Sequence, residues 1–104
     1  MRKTNVKINN EKLQASSEIL RAIAHPLRLK ILSFIDQSGT INVNKIYNTL
    51  KLEQSITSQH LRILRLAGLV NTERDGKFIH YSVDYSKVNN TVDSINSFLD
   101  DAEL

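Results

Sequence analysis

The sequence predicts a mainly α-helical chain with a small β hairpin, in the order helix, helix, short strand, helix, helix, hairpin, helix. Three observations carry that prediction. Apolar residues recur at helical spacing in five separate segments. Asp75-Gly76, a dipeptide that supplies the positive φ angles of a tight hairpin turn, lies between two strand-like stretches. The three glycines and the single proline punctuate the chain rather than clustering into a linker.

From about Glu11, the residues Leu13, Ile19, Leu20 and Ile23 follow a helical pattern with Asn9 or Asn10 as candidate cap, which predicts a first helix ending near Ala24. Pro26 then occupies a first helical position, where its missing N–H costs nothing. Leu27, Ile31, Phe34 and Ile35 give the stripe of this second helix, closed by Gly39. Thr40-Ile41-Asn42-Val43 is a short β-branched stretch, and Ile46, Tyr47 and Leu50 mark a third, short helix begun by Asn42 or Asn44. A fourth helix starts between Glu53 and Ser55, carries Thr57, Leu61 and Leu64 on one face, and ends at Gly68 as a left-handed cap. The hairpin strands are Leu69–Arg74 and Lys77–Val83, on either side of Asp75-Gly76. Tyr85, Val88, Val92, Ile95, Leu99 and Ala102, spaced 3, 4, 3, 4 and 3 apart, lie along one seam of a last helix.

A length of 104 residues allows one domain, and 40% hydrophobic with 24% charged residues supports a core without covalent staples. Residues 1–10, with Arg2, Lys3 and Lys7, read as a flexible basic arm and residues 11–104 as the folded unit. The formal charge of +3 is too mild by itself to name a partner, but it is unevenly placed. Residues 1–30 carry seven basic and two acidic groups, whereas residues 78–104 carry one and five. Zero cysteines exclude disulfides, thiolate zinc sites, iron–sulfur clusters and thiol redox sensing, and fit a reducing compartment. No apolar run follows the N-terminal basic residues as a signal peptide requires, and Leu66–Val70 is far short of the roughly 20 residues that cross a bilayer. The expectation is a soluble, cytoplasmic protein with no membrane partner.

Two short helices joined tightly and followed by a two-stranded hairpin form the plan of a winged helix-turn-helix, in which the second helix of the pair enters the major groove of double-stranded DNA. On the fourth helix, Ser55, Gln59 and Arg62 lie opposite the Thr57-Leu61-Leu64 face, with Ser58 flanking them and Gln54 at the start. Gln can pair with an adenine edge, Ser can donate or accept, and Arg can reach a phosphate or a guanine. A polar outer face is also what any solvated helix has, but this one lacks interleaved Glu and Lys pairs, with only Glu53 at its start. Arg74 and Lys77 flank the hairpin turn, where a wing meets phosphates or the minor groove.

Ala22-Ile23-Ala24-His25-Pro26-Leu27-Arg28-Leu29-Lys30-Ile31-Leu32 resembles the "alAHPlRlkIL" segment of the ArsR-type (arsenic-repressor-like, ArsR/SmtB) bacterial winged-helix regulators. Leu52 to Leu64 resembles that family's "lsQstvSqHLrvL" recognition helix, and Ala67-Gly68-Leu69-Val70 with the Arg74 to Tyr81 hairpin is similar to its wing. The similarity runs from about Glu18 to Val83. It implies a homodimeric repressor that binds a palindromic operator, with the first and last helices packed across the dimer interface. Leu13, Leu20, Val88, Val92, Ile95 and Leu99 are the candidate interface residues, and the seam of the last helix suits that role independently. The same seam could instead cover the protein's own core.

The "CVC" thiolate pair of the family's metal sensors falls on Asn42-Val43-Asn44, whose amides are poor ligands for soft metals. The alternative site on the family's last helix uses Asp and His, yet no histidine follows His80. No metal site and no cofactor are expected, and the effector is unknown. His25 reads as a turn or capping residue, His60 as packing or bonding at the edge of the inner face, and His80 as a strand residue, with a pH switch left open. Three scattered glycines make no phosphate-cradling loop, and Ser58 and His60 point in different directions, so the chain does not read as an enzyme. The competing function is a winged-helix module that binds another protein rather than a specific DNA sequence.

Overall fold

The structure, a computed structural model, describes residues 6–102. The basic arm expected over residues 1–10 therefore lies, at residues 1–5, outside the described residues. The element order is α1 (Asn10–Ile23), α2 (Pro26–Ser38), β1 (Thr40–Asn42), α3 (Val43–Leu50), α4 (Gln54–Leu66), β2 (Val70–Asp75), β3 (Phe78–Val83) and α5 (Tyr85–Ala102).

Local chemistry sets most of these boundaries. The Lys12 N–H donates to Asn9 Oδ1 at 3.0 Å, so Asn9 rather than Asn10 caps α1. The Leu27 N–H donates to His25 Nδ1 at 3.1 Å, which makes His25 the cap of α2 with Pro26 at the first helical position. Asn42 Oδ1 accepts from the Lys45 N–H at 2.9 Å and starts α3. The end of α4 is a Schellman arrangement: the Gly68 N–H meets the Arg65 carbonyl and the Leu69 N–H the Leu64 carbonyl, both at 3.0 Å, with Gly68 at φ +78°. Asp84 Oδ1 then accepts from the Lys87 N–H at 3.0 Å and opens α5.

Two sequence expectations change in detail. The strand-like stretch after Gly39 does not stand alone; Thr40–Asn42 adds to the hairpin, giving a three-stranded antiparallel sheet in the order β1-β3-β2 with Ile41 opposite Tyr81. The hairpin turn also shifts by one residue. Asp75 pairs with Phe78, so Gly76 and Lys77 form the two-residue turn, with only Gly76 at positive φ. A glycine at the first turn position with a negative φ after it suits a II′ turn, so Asp75 is free to extend the strand.

The core joins α2, α3, α4 and the sheet: Ile31, Ile35, Ile46, Leu61, Leu64 and Leu69 are fully buried. These side chains hold α4 against α2 and α3 and leave the opposite face of α4 outward.

Candidate nucleic-acid interface

α4 is anchored on a single stripe. Thr57, Leu61 and Leu64 are each 0% exposed, and the buried Thr57 hydroxyl donates to the Glu53 carbonyl at 2.8 Å, so its burial leaves no polar atom unpaired. At about 100° per residue, Ser55, Gln59 and Arg62 project away from that stripe. Gln54, Ser55, Ser58, Gln59 and Arg62 are all exposed. One continuous polar surface on the first three turns of α4 therefore contains every candidate reader that the sequence assigned to this helix.

Arg74 and Lys77 are also exposed and stand at the tip of the β2–β3 hairpin, with Lys77 inside the turn and Arg74 one residue before its closing pair. The Arg74 Nε–H donates to the Gly76 carbonyl at 3.4 Å, which folds the guanidinium onto the tip. Arg65 belongs to the same region but escaped the sequence reading. It follows Ser58 by seven residues and so shares its flank of α4, and its positive charge opposes the upward shift that burial imposes on the Tyr81 hydroxyl in β3. The i, i+7 spacing from Ser58 was the available signal.

Behind the outward polar face of α4, the three elements α1, α2 and α4 meet at one side chain. Arg28 of α2 donates from Nε to the Ala22 carbonyl and from an Nη to the Arg21 carbonyl, both at 2.8 Å. Its other Nη lies 3.3 Å from His60 Nδ1 on α4. The His60 ring in turn packs on the His25 ring, with centroids 4.8 Å apart and planes tilted by 47°. Burial first, then the His25 ring and the Arg28 guanidinium, lower the His60 pKa below its ordinary value.

A second surface lies between α1 and α5. Ile19 and Leu20 from α1 and Thr91, Ile95, Phe98 and Leu99 from α5 help line an open groove of about 480 Å³. The last-helix seam is divided: Val88 packs against the core, Ile95 is half-buried, and Val92 and Leu99 are exposed. Leu13 and Leu20 of α1 are exposed as well. Phe98, 71% exposed, falls outside the 3–4 seam and was missed for that reason. Among the described residues no group of three or more His, Cys, Asp or Glu comes together. Asn42, which stands at the family's thiolate position, is occupied in capping α3.

A helix held by a buried stripe, polar on its outer face and followed by a basic-tipped hairpin, defines a winged helix-turn-helix domain of the DNA-binding kind. The chain belongs to the arsR family of bacterial regulatory proteins, whose model matches residues 25–72. It is 37% identical over 90 residues to the transcriptional repressor PagR of Bacillus anthracis, a match that covers 86% of this chain and 90% of PagR. The solved structure of PagR superimposes with a TM-score of 0.67 and 34% identity, covering 84% of this chain and 99% of that one. NolR from Sinorhizobium fredii is also similar, with a TM-score of 0.71 and 31% identity over 89% of this chain and 95% of that one. PagR is named a transcriptional repressor, and the matching family is one of regulatory proteins rather than enzymes.

Proposed function

We propose that the chain acts as a homodimeric repressor that reads a palindromic operator with Gln54, Ser55, Ser58, Gln59 and Arg62 of α4, while Arg74 and Lys77 of the wing hold the DNA backbone or minor groove. The observation that carries this reading is the orientation of α4. Its buried Thr57, Leu61 and Leu64 leave a donor- and acceptor-rich face uncovered. The name of PagR as a repressor supports repression as the outcome.

Dimerisation is supported by apolar surface that the monomer does not cover: Leu13 and Leu20 on α1, and Val92, Phe98 and Leu99 on α5. The molecule is also extended for its length. Its radius of gyration is 16.8 Å, against about 13 Å for a compact domain of this size. A second copy filling the α1–α5 groove would set two α4 helices facing half-sites about 34 Å apart or a multiple of it. The acidic last helix, with Asp84 at its start, would then lie toward the dimer side, away from the basic Arg62, Arg74 and Lys77. Among the described residues no helix is long and apolar enough to cross a membrane, and operator binding implies a place in the cytoplasm with the chromosome.

Binding of the purified protein to DNA upstream of its own coding sequence, compared with random duplex at about 150 mM salt, tests the reading. Selective binding supports it. Equal binding to both duplexes, together with capture of a partner protein through α5, would favour the protein-interaction module instead.

A further inference from the structure

Arg28 and His60 are absent from the proposed DNA contacts, yet they join the helix expected to form the dimer to the helix expected to read bases. We propose that Arg28 is a positioning residue for DNA recognition: its guanidinium clamps the end of α1 to the unprotonated Nδ1 of His60 on α4, and protonation of His60 opens the clamp and weakens operator binding. This rests on the operator-binding reading above.

The chemistry fixes the protonation state. A guanidinium only donates, so the contact at 3.3 Å requires His60 Nδ1 to accept, which leaves the neutral ring protonated on Nε2. His25 Nδ1 is committed in the same way, because it accepts the Leu27 N–H at the start of α2. Both rings therefore function as acceptors at Nδ1, with their centroids 4.8 Å apart. A proton on His60 removes the acceptor, turns an N–H toward a guanidinium, and sets a positive charge beside it. The groups that act electrostatically on His60 are the His25 ring and Arg28, both from the α1–α2 junction and α2; α1 contributes the Arg21 and Ala22 carbonyls, which hold the guanidinium in place.

Position gives the clamp its consequence. His60 follows Gln59 directly, and Gln59 lies on the outward face about 100° further round the helix. A rotation or shift of α4 at His60 therefore moves the reading groups. Arg28 also uses both of its 2.8 Å bonds on carbonyls near the end of α1, so beside the core packing of Ala22 one side chain ties α1 to α4 by polar bonds. A lysine in its place keeps the charge but cannot span three acceptors on two helices.

The sign of the effect separates this device from ordinary electrostatics. Histidine protonation near a phosphate backbone tightens DNA binding in acid, whereas release of the clamp loosens it. Affinity for a selected duplex should be measured from pH 8 to pH 5.5 for the wild type, His60→Asn and Arg28→Lys, with random duplex as baseline and circular dichroism confirming the fold. In His60→Asn the amide oxygen takes the place of Nδ1 and does not titrate. The wild type should hold its affinity above about pH 6.5, the ordinary histidine value, and lose it as pH falls through the lowered His60 value, by up to about tenfold per pH unit. His60→Asn should lose markedly less over that range, and Arg28→Lys should be weak already at pH 8. The same acid loss in wild type and His60→Asn, or wild-type affinity in Arg28→Lys, overturns the clamp while leaving operator binding intact. A wild type that selects no duplex at pH 7.5 overturns both.

Discussion

At the scale of single residues, the AHPLR segment derives its significance from two side chains that satisfy orphaned backbone groups and a third that removes one. His25 caps α2, Pro26 needs no N–H partner at the first helical position, and Arg28 takes up the Arg21 and Ala22 carbonyls at the end of α1. The capping role of His25 was legible from its place before Pro26. Its contact with His60 was not, because 35 residues separate them in the chain and only the packing of α4 on α2 brings them together. Stability should depend on pH through His60. Its folded pKa lies below 6.5, so the unfolded chain binds the proton first, and the contribution present above about pH 6.5 is lost as pH falls through the folded value. Thermal unfolding should therefore show a constant midpoint from pH 8 to 7 and a decline toward pH 5.5 that His60→Asn reduces; identical declines in both proteins would contradict this. Glu53 begins α4 without a side-chain cap bond. Glu53→Ser supplies a hydroxyl for the free amides and should raise stability by about 0.5–1 kcal/mol in a denaturant titration.

At the scale of elements, the helices were legible because their apolar spacing is regular, and the sheet was only half legible. The hairpin announced itself through Asp75-Gly76, but the register did not. The pairing of Asp75 with Phe78 depends on Gly76 alone adopting positive φ, a choice between turn types that the dipeptide leaves open. β1 was recognisable as a β-branched stretch, yet its pairing with β3 joins residues forty apart and has no local signal. Which face of α4 points outward was legible in full, since one buried stripe on a helix fixes every other direction. Two elements should therefore fail differently when altered. Ser58→Ala and Gln59→Ala on α4 should each relax preference at particular base positions, about 1–3 kcal/mol per lost pair. Arg74→Ala on the wing should weaken all duplexes similarly and lower the salt slope by about one. Binding-site logos and salt titrations distinguish these outcomes, and an unchanged logo for the α4 variants would contradict the assigned face.

At the scale of the whole molecule, the chain divides into a packed half and an unfilled half. α2, α3, α4 and the sheet share one core, to which α1 adds Ala22 and α5 adds Val88, whereas the remaining sides of α1 and α5 border an open apolar groove with Phe98 and Leu99 at its edge, 71% and 56% exposed. The seam spacing indicated that α5 would be amphipathic but left open whether it covered its own core, and the answer differs along its length: Val88 does, Val92 and Leu99 do not. Burial of an apolar side chain of this kind is worth roughly 1.5–3 kcal/mol, enough for one substitution to shift a dimer equilibrium by an order of magnitude or more. Phe98→Asp and Leu99→Asp should each move the protein toward monomer in analytical ultracentrifugation. They should also weaken operator binding although α4 is untouched, because two linked half-site contacts become one. A monomeric wild type would contradict this part of the account.

The central claim is that the outward face of α4, presented twice by a dimer, reads a specific DNA sequence. Selection of bound duplexes from a random pool by the wild-type protein at about 150 mM salt and pH 7.5 tests it most directly. The account predicts an inverted repeat with half-site centres about 10–10.5 base pairs apart, or a multiple of that, bound at least about a thousandfold more tightly than random duplex. A pool that gains no sequence preference after selection would contradict it.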